Sequence, residues 1–181
     1  MKAMIAMLRG VNVGGCHKLP MERLRAICED LDLTRPQTFI QSGNVVFETK
    51  LKDETAMALR METTIEAEFG FRASLVLRSA AEMRSVVARN PFSGRADVAP
   101  GRLLVTFLQS DPGEEARVAI RAIPADPEEL VADGCEIFVH YPNGAGRSKL
   151  PVARIERAQK VPATSRNWNS VLKLLALAEA R

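Results

Sequence analysis

The sequence predicts an α+β protein of two lobes, a ferredoxin-like βαββαβ lobe over residues 1–79 and a smaller α+β lobe over residues 80–181 that closes with a helix. Three observations carry this prediction. Short β-rich runs alternate or cluster their apolar residues, the segments between them repeat apolar residues every three to four positions, and Gly, Pro and Asn mark the junctions. With 181 residues, 46% hydrophobic and 26% charged, the chain has the make-up of a folded protein that buries roughly 70% of its unfolded surface.

The opening segment, Lys2 to Arg9, reads as a buried strand; its apolar run, Ala3 to Met7, is too short and has the wrong continuation for a signal peptide. GVNVGGCHKL then forms a glycine-rich loop leading to Pro20, which suits the first position of a helix. Leu24, Ile27, Cys28 and Leu31 follow at helical spacing, so Cys28 belongs to the core. TFIQSGNVVFE reads as a hairpin in which Gly43 and Asn44 can supply the positive φ angles of a tight turn. Met57, Met61, Ile65 and Phe69 predict a helix from Asp53 that stops at Gly70. Phe71 to Arg78 alternates as a half-buried strand, with Arg72, Ser74 and Arg78 on its polar face. The order to this point is βαββαβ.

In the second lobe, Ser79 and Glu82 have the spacing of a capping box ahead of a helix that ends near Asn90 and Pro91. The loop NPFSGRADVAPG, the strand RLLVTFLQ, a polar helical stretch from Glu114 to Ile123 and the strand CEIFVHY come next. PNGAGRSKLP is a loop and Val152 to Gln159 a polar helix. In the last helix Trp168, Val171, Leu172 and Leu175 share a face, and Thr164 or Ser165 can serve as N-cap. No internal repeat, low-complexity tract or long linker is visible.

Composition narrows the function classes. No apolar stretch nears the roughly 20 residues that cross a bilayer; VLKLLALA is too short. The cysteines, Cys16, Cys28 and Cys135, are odd in number and lack zinc or redox spacing, which fits a reducing cytoplasm. With two histidines and no ligand spacing, neither a metal nor another cofactor is expected. A net charge of +3 permits an anionic partner without demanding nucleic acid. The aromatics that an RNA-recognition sheet needs are missing from AMIAML and NVVFE, so nucleic acid is possible but not favoured.

Polar loops remain as the candidate chemistry. At the start of the last helix, Thr164, Ser165, Arg166, Asn167 and Asn169 could cradle a phosphate or carboxylate, with Arg147 and Lys149 completing the pocket. The alternative reading leaves Arg166 in solvent, Thr164 as a cap and Trp168 as a core anchor. The first loop places Arg9, Gly10, Asn12, Gly14 and Gly15 between strand and helix, a phosphate-binding context, but matches neither GxGxxG nor the Walker pattern. Its glycines read first as shaping the connection. Cys16 and His17 are adjacent, which rarely aligns a thiol with an imidazole, and His140 reads as a sheet residue.

Taken together, LRGVNVGGCHKLPMERLRAI, FIQSGNVVFE, NGAGRSKLP and ATSRNWNSVLKLLAL resemble the bacterial family called domain of unknown function 1697. The resemblance implies a two-lobed α+β fold with a ferredoxin-like first part and brings no established activity. By position it marks Arg9, Gly10, Asn12, Gly14, Gly15, Ser42, Gly43, Asn44, Gly146, Arg147, Ser148, Lys149, Arg166, Asn167, Trp168 and Asn169. Cys16 and His17 depart from the family pattern after the double glycine.

The expectation is therefore a cytoplasmic protein that binds a small phosphate- or carboxylate-bearing ligand between its lobes. Arg9, Arg147, Lys149 and Arg166 would supply charge, Asn12, Asn44 and Asn167 orientation, and Gly14, Gly15, Ser42 and Ser148 the loops that present them. Sequence-independent nucleic-acid binding and a non-catalytic interaction module stand as alternatives. No general base can be named, so catalysis is left open.

Overall fold

β1 (Lys2–Leu8) is the centre from which the first sheet is built: Met4 through Leu8 are all buried. It leads through the glycine loop to α1 (Met21–Asp30), which buries Leu24, Ile27 and Cys28 as their spacing requires. Pro20 stands just before this helix, at the N-cap, rather than at its first turn. β2 (Thr34–Phe39) and β3 (Asn44–Thr49) form the expected hairpin. The turn differs in detail: Gly43 has φ +75° and Ile40 φ +51°, whereas Asn44 is already extended in β3 and fully buried. α2 (Glu54–Phe69) starts where the Asp53 carboxylate accepts the Ala56 amide and ends at Gly70 in the left-handed region. β4 (Leu75–Ser79) is shorter than the alternation suggests: Arg72 and Ser74 fall before it, Arg72 exposed, and Arg78 is buried within it along with Leu75, Val76 and Leu77.

All the pairings are antiparallel and the order is β2-β3-β1-β4, the order a βαββαβ chain needs. The helices bury their apolar stripes on one face, where Met4, Ala6, Leu8 and Phe47 meet Leu24, Ile27, Met57, Met61 and Ile65. Burial pushes the Cys28 thiol up to about 12, which makes it an inert core group.

α3 (Ala80–Ala88) follows β4 without a loop and carries the predicted capping box: Ser79 Oγ accepts the Glu82 amide at 3.2 Å and Glu82 accepts the Ser79 amide at 2.7 Å. The second sheet then comprises β5 (Leu103–Leu108), β6 (Glu129–Asp133), β7 (Glu136–His140) and β8 (Ala163–Asn167). α4 (Glu114–Arg121) lies between β5 and β6, and α5 (Val152–Gln159) between β7 and β8. α6 (Trp168–Glu179) follows β8 directly, as α3 follows β4.

The order of this sheet is β6-β7-β5-β8, again wholly antiparallel. The second half therefore repeats the βαββαβ topology and its trailing helix, a repeat the sequence does not display. Two strands concealed it. β6, Glu-Leu-Val-Ala-Asp, is half-exposed, and β8, Ala-Thr-Ser-Arg-Asn, holds one β-branched residue and reads as a helix cap.

This computed structural model describes Met1–Arg181 in two compact units, one of Met1–Ser85 with Lys173–Arg181 and one of Val86–Leu172. Each trailing helix is divided between them. α3 begins in the first and α6 ends there, with Arg84 of α3 paired to Glu179 of α6 at 2.7 Å. No helix is long and apolar enough to cross a membrane.

Candidate functional site

In the first unit, Arg9, Asn12, Gly14, Gly15, Ser42 and Asn44 all fall at one end of the sheet, where β1 stops and β3 and β4 start. The backbone draws the loops together: the Leu8 amide donates to Gly43 O and the Arg9 amide to Ser74 O, both at 2.8 Å. Asn12, with φ +55°, acts as the bracket. Its Nδ2 donates to Leu19 O at 2.9 Å and to Gln41 O at 2.8 Å, and its Oδ1 accepts the Leu19 amide at 2.9 Å. One amide thus closes the glycine loop on itself and ties it to the hairpin turn. Asn44 does comparable work, donating to Phe39 O at 3.0 Å and to Ser42 Oγ at 2.9 Å from a buried position.

The loop tip is a small hairpin. Val13 bridges Cys16, Gly10, Gly14 and Gly15 take positive φ, and the His17 ring stacks on Phe71 with centroids 4.7 Å apart. His17 Nδ1 lies 3.1 Å from Gly10 O, and no hydrogen bond joins it to the exposed Cys16. Gly43 is held by space as well as by angle. A Cβ there would sit 2.4 Å from Val11 Cγ2 and 2.9 Å from Leu8 Cβ.

In the second unit, Arg147, Ser148, Lys149 and Asn167 gather at the end where β5 starts and β7 and β8 stop. The connection after β7 makes a 3₁₀ turn, Ala145–Arg147, entered through Gly144 at φ +87°. Arg102, at the start of β5, lies over that glycine: a Cβ on Gly144 would be 2.2 Å from its guanidinium. The Tyr141 amide donates to Arg102 O at 2.8 Å, and Asn167 Nδ2 to Gly101 O at 3.2 Å. Ser148 Oγ accepts the Leu150 amide at 2.9 Å. Arg102 is a member of this group that sequence spacing could not reveal, because its neighbour Gly144 lies far along the chain.

The cations of this unit fall into paired and unpaired sets. Arg89, Arg95, Arg117 and Arg121 are all held by carboxylates, whereas Arg102, Arg147 and Lys149 are exposed and form no ion pair.

Arg166 is placed differently from the expected helix start. The helix begins two residues after it, and Arg166 lies in β8, buried, opposite Val105. Its guanidinium donates to Thr164 Oγ1 at 2.7 Å and to Ser165 O at 2.9 Å. Burial pushes its pKa down to about 10. Asn167 caps α6 in place of Thr164 or Ser165, its Oδ1 accepting the Asn169 amide at 3.0 Å.

His140 belongs to a second polar group in this unit. It is 3% exposed in β7, with Nδ1 3.0 Å from Glu129 Oε1 and Nε2 without a partner. Arg95 binds both oxygens of the same carboxylate, at 2.6 and 2.9 Å, and also pairs with Asp97. The Arg95 bonds, followed by that of His140, hold the Glu129 carboxyl below the usual range. No set of three His, Cys, Asp or Glu residues gathers as a metal site.

A structure of the conserved bacterial protein SP0830 from Streptococcus pneumoniae is similar over 99% of both chains, with a TM-score of 0.79 and 23% identity, which shows a shared fold. The curated proteins offer no match. The family model described as protein of unknown function (DUF1697) matches residues 1–138, ending before the NGAGRSKLP and TSRNWN motifs. That match takes in the first βαββαβ unit and most strands of the second, and by it the chain belongs to the DUF1697 family.

Proposed function

We propose that the protein binds a phosphate- or carboxylate-bearing molecule at the glycine loop of its second unit. The carrying observation is that three exposed cations without ion pairs, Arg102, Arg147 and Lys149, gather at one loop end, with Arg102 lying against Gly144 of the same loop. Exposed cations on a loop stiffened by Gly144, Ser148 and Asn167 need little rearrangement to meet an anion. Arg102 and Arg147 offer planar forks suited to carboxylate or phosphate oxygens, and Lys149 a mobile point charge. Arg166, in β8, donates to Thr164 Oγ1 and Ser165 O.

Chemical-shift titration of the full ¹⁵N-labelled chain with pyrophosphate and with citrate tests this reading. Shifts should centre on Asn143–Lys149, and an Arg147→Ala/Lys149→Ala variant should bind at least about tenfold more weakly, since a charged hydrogen bond contributes roughly 1.5–3 kcal/mol. Equal binding by the variant, or shifts centred elsewhere, would refute it.

A further inference from the structure

Glu128 is the exception among the buried carboxylates. Glu62 accepts the Leu75 amide at 2.9 Å, and Glu136 is held by Arg89 at 2.9 Å. Glu128 is 7% exposed and has neither a hydrogen bond nor an ion pair within the chain. An enclosed carboxylate without a donor costs stability, and it is put to use when a donor arrives from outside.

The register of the second sheet sets this carboxylate in the same row as the anion site. Glu129 pairs with His140 and His140 with Leu103, so one step further out Glu128, Tyr141 and Arg102 stand side by side at the end of the sheet. The Tyr141 amide donates to Arg102 O at 2.8 Å and the Gly144 amide to Tyr141 O at 2.9 Å, which ties the row to the loop that carries Arg147 and Lys149. Two residues inward, Leu130, Val139 and Leu104 are paired across the same strands and line one apolar face, and the period of a strand gives Glu128, Tyr141 and Arg102 that face too. The Tyr141 side chain is buried and its hydroxyl makes no hydrogen bond within the chain. Burial, followed by the charge of Glu128, pushes the phenol up, so it stays protonated with both a donor and a lone pair to offer. Opposite charges thus stand two strand spacings apart, roughly 10 Å at the backbone, and do not pair: Arg102 lies against Gly144, and Glu128 is left without a partner.

We infer that the anion site takes a small zwitterion, whose phosphate or carboxylate meets Arg102, Arg147 and Lys149 and whose protonated amine meets Glu128, with the Tyr141 hydroxyl between them. This inference rests on the anion-binding reading above and adds the class of ligand to it. A plain anion would satisfy the three cations and leave Glu128 both unpaired and repelled by its new neighbour. A divalent cation fits less well, since one carboxylate and one phenol fall short of the oxygen ligands that such an ion takes from a protein, and no third acidic or histidine ligand gathers there.

Calorimetric titration of the full chain with phosphoethanolamine and with propyl phosphate, which has the same length and no amine, tests the inference. Phosphoethanolamine should bind at least about fivefold more tightly, the effect of one partly screened charged hydrogen bond. Glu128→Gln should bring the two affinities together, with a thermal midpoint equal to or above that of the native chain, because it removes an unpaired enclosed charge. Arg147→Ala/Lys149→Ala should weaken both ligands alike. If propyl phosphate binds and phosphoethanolamine binds no better, the zwitterion inference falls while the anion site stands. A Glu128→Gln variant that keeps the native preference also overturns it, as does one that unfolds well below the native chain, since the carboxylate would then be satisfied by the fold itself. Binding of neither phosphate overturns the anion site and this inference with it.

Discussion

The two βαββαβ units share a strand order, yet their polar loops emerge at opposite ends of the repeat. In the first unit they surround the C-terminal end of β1, with Leu8 opposite Leu75 and Met7 opposite Asn44. In the second they surround the N-terminal end of the corresponding strand, β5, with Leu103 opposite His140 and Leu104 opposite Asn167. The last strands nevertheless match closely. Arg78 is the fourth residue of β4 and Arg166 the fourth of β8; each is buried, lies opposite an apolar residue of the central strand, and donates to the carbonyl of the residue before it. The repeat thus preserves the buried frame and lets the loops diverge. Function has to be sought in the loops of each unit rather than in the shared topology.

The largest expected effect comes from the loop end where packing and backbone both reject a side chain. Gly43→Ala must strain a φ of +75° and overlap Val11 and Leu8. A loss of roughly 2–4 kcal/mol should follow, by overpacking plus backbone strain. Gly10→Ala, at φ +68° with open space around it, meets the backbone term alone and should cost about 1 kcal/mol. Urea denaturation of both variants measures the difference; equal losses would mean that the turn relaxes freely and that the two loops are not locked together.

The matched arginines give the next effect. Arg166→Ala leaves Thr164 Oγ1 and Ser165 O without their donor, and Arg78→Ala does the same to Leu77 O. Each should lower stability by about 2–4 kcal/mol through unsatisfied groups and lost packing. If the repeat is energetic as well as topological, the two losses will agree to within about 1 kcal/mol, given how far single contributions vary with context. A loss confined to Arg166→Ala would break the equivalence.

How legible the molecule is in its sequence differs between the units for the same physical reasons. The first was readable because its apolar residues are strongly periodic and its caps are explicit: Asp53 and Gly70 bound α2, and Leu24, Ile27 and Cys28 align on α1. The second hides its topology because β6 and β8 are short and polar, so hydrophobic period could not reveal the repeat. Of the candidate residues, the Arg147–Lys149 loop was visible from its glycines and charges. Asn12 was read as part of the glycine loop and Asn44 as a turn residue, both as orienting a ligand; their carbonyl partners depend on chain reversals that spacing does not encode. Arg102 against Gly144, and His140 against Glu129, are contacts across strands and become evident only once the register is known.

The smallest effect separates the second unit's paired charges from its unpaired ones. Arg95, followed by His140, holds the Glu129 carboxyl below its ordinary range in the folded chain. A depressed folded pKa means that the unfolded chain takes up a proton first as pH falls. The stabilisation from Glu129 is therefore present above the ordinary glutamate value of about 4.3 and is lost as pH drops through the lower folded value. Because the Glu129 side chain is 42% exposed, solvent screens the pair and the effect stays small. Thermal unfolding of Glu129→Gln and the native chain should give a modest gap in midpoint at neutral pH that closes under acid. Lys149→Gln, which removes an unpaired cation, should show no gap at either pH. A gap for Glu129→Gln that persists unchanged into acid would mean that the carboxylate acts through packing around His140 rather than through its charge, and would remove the electrostatic distinction between the two groups.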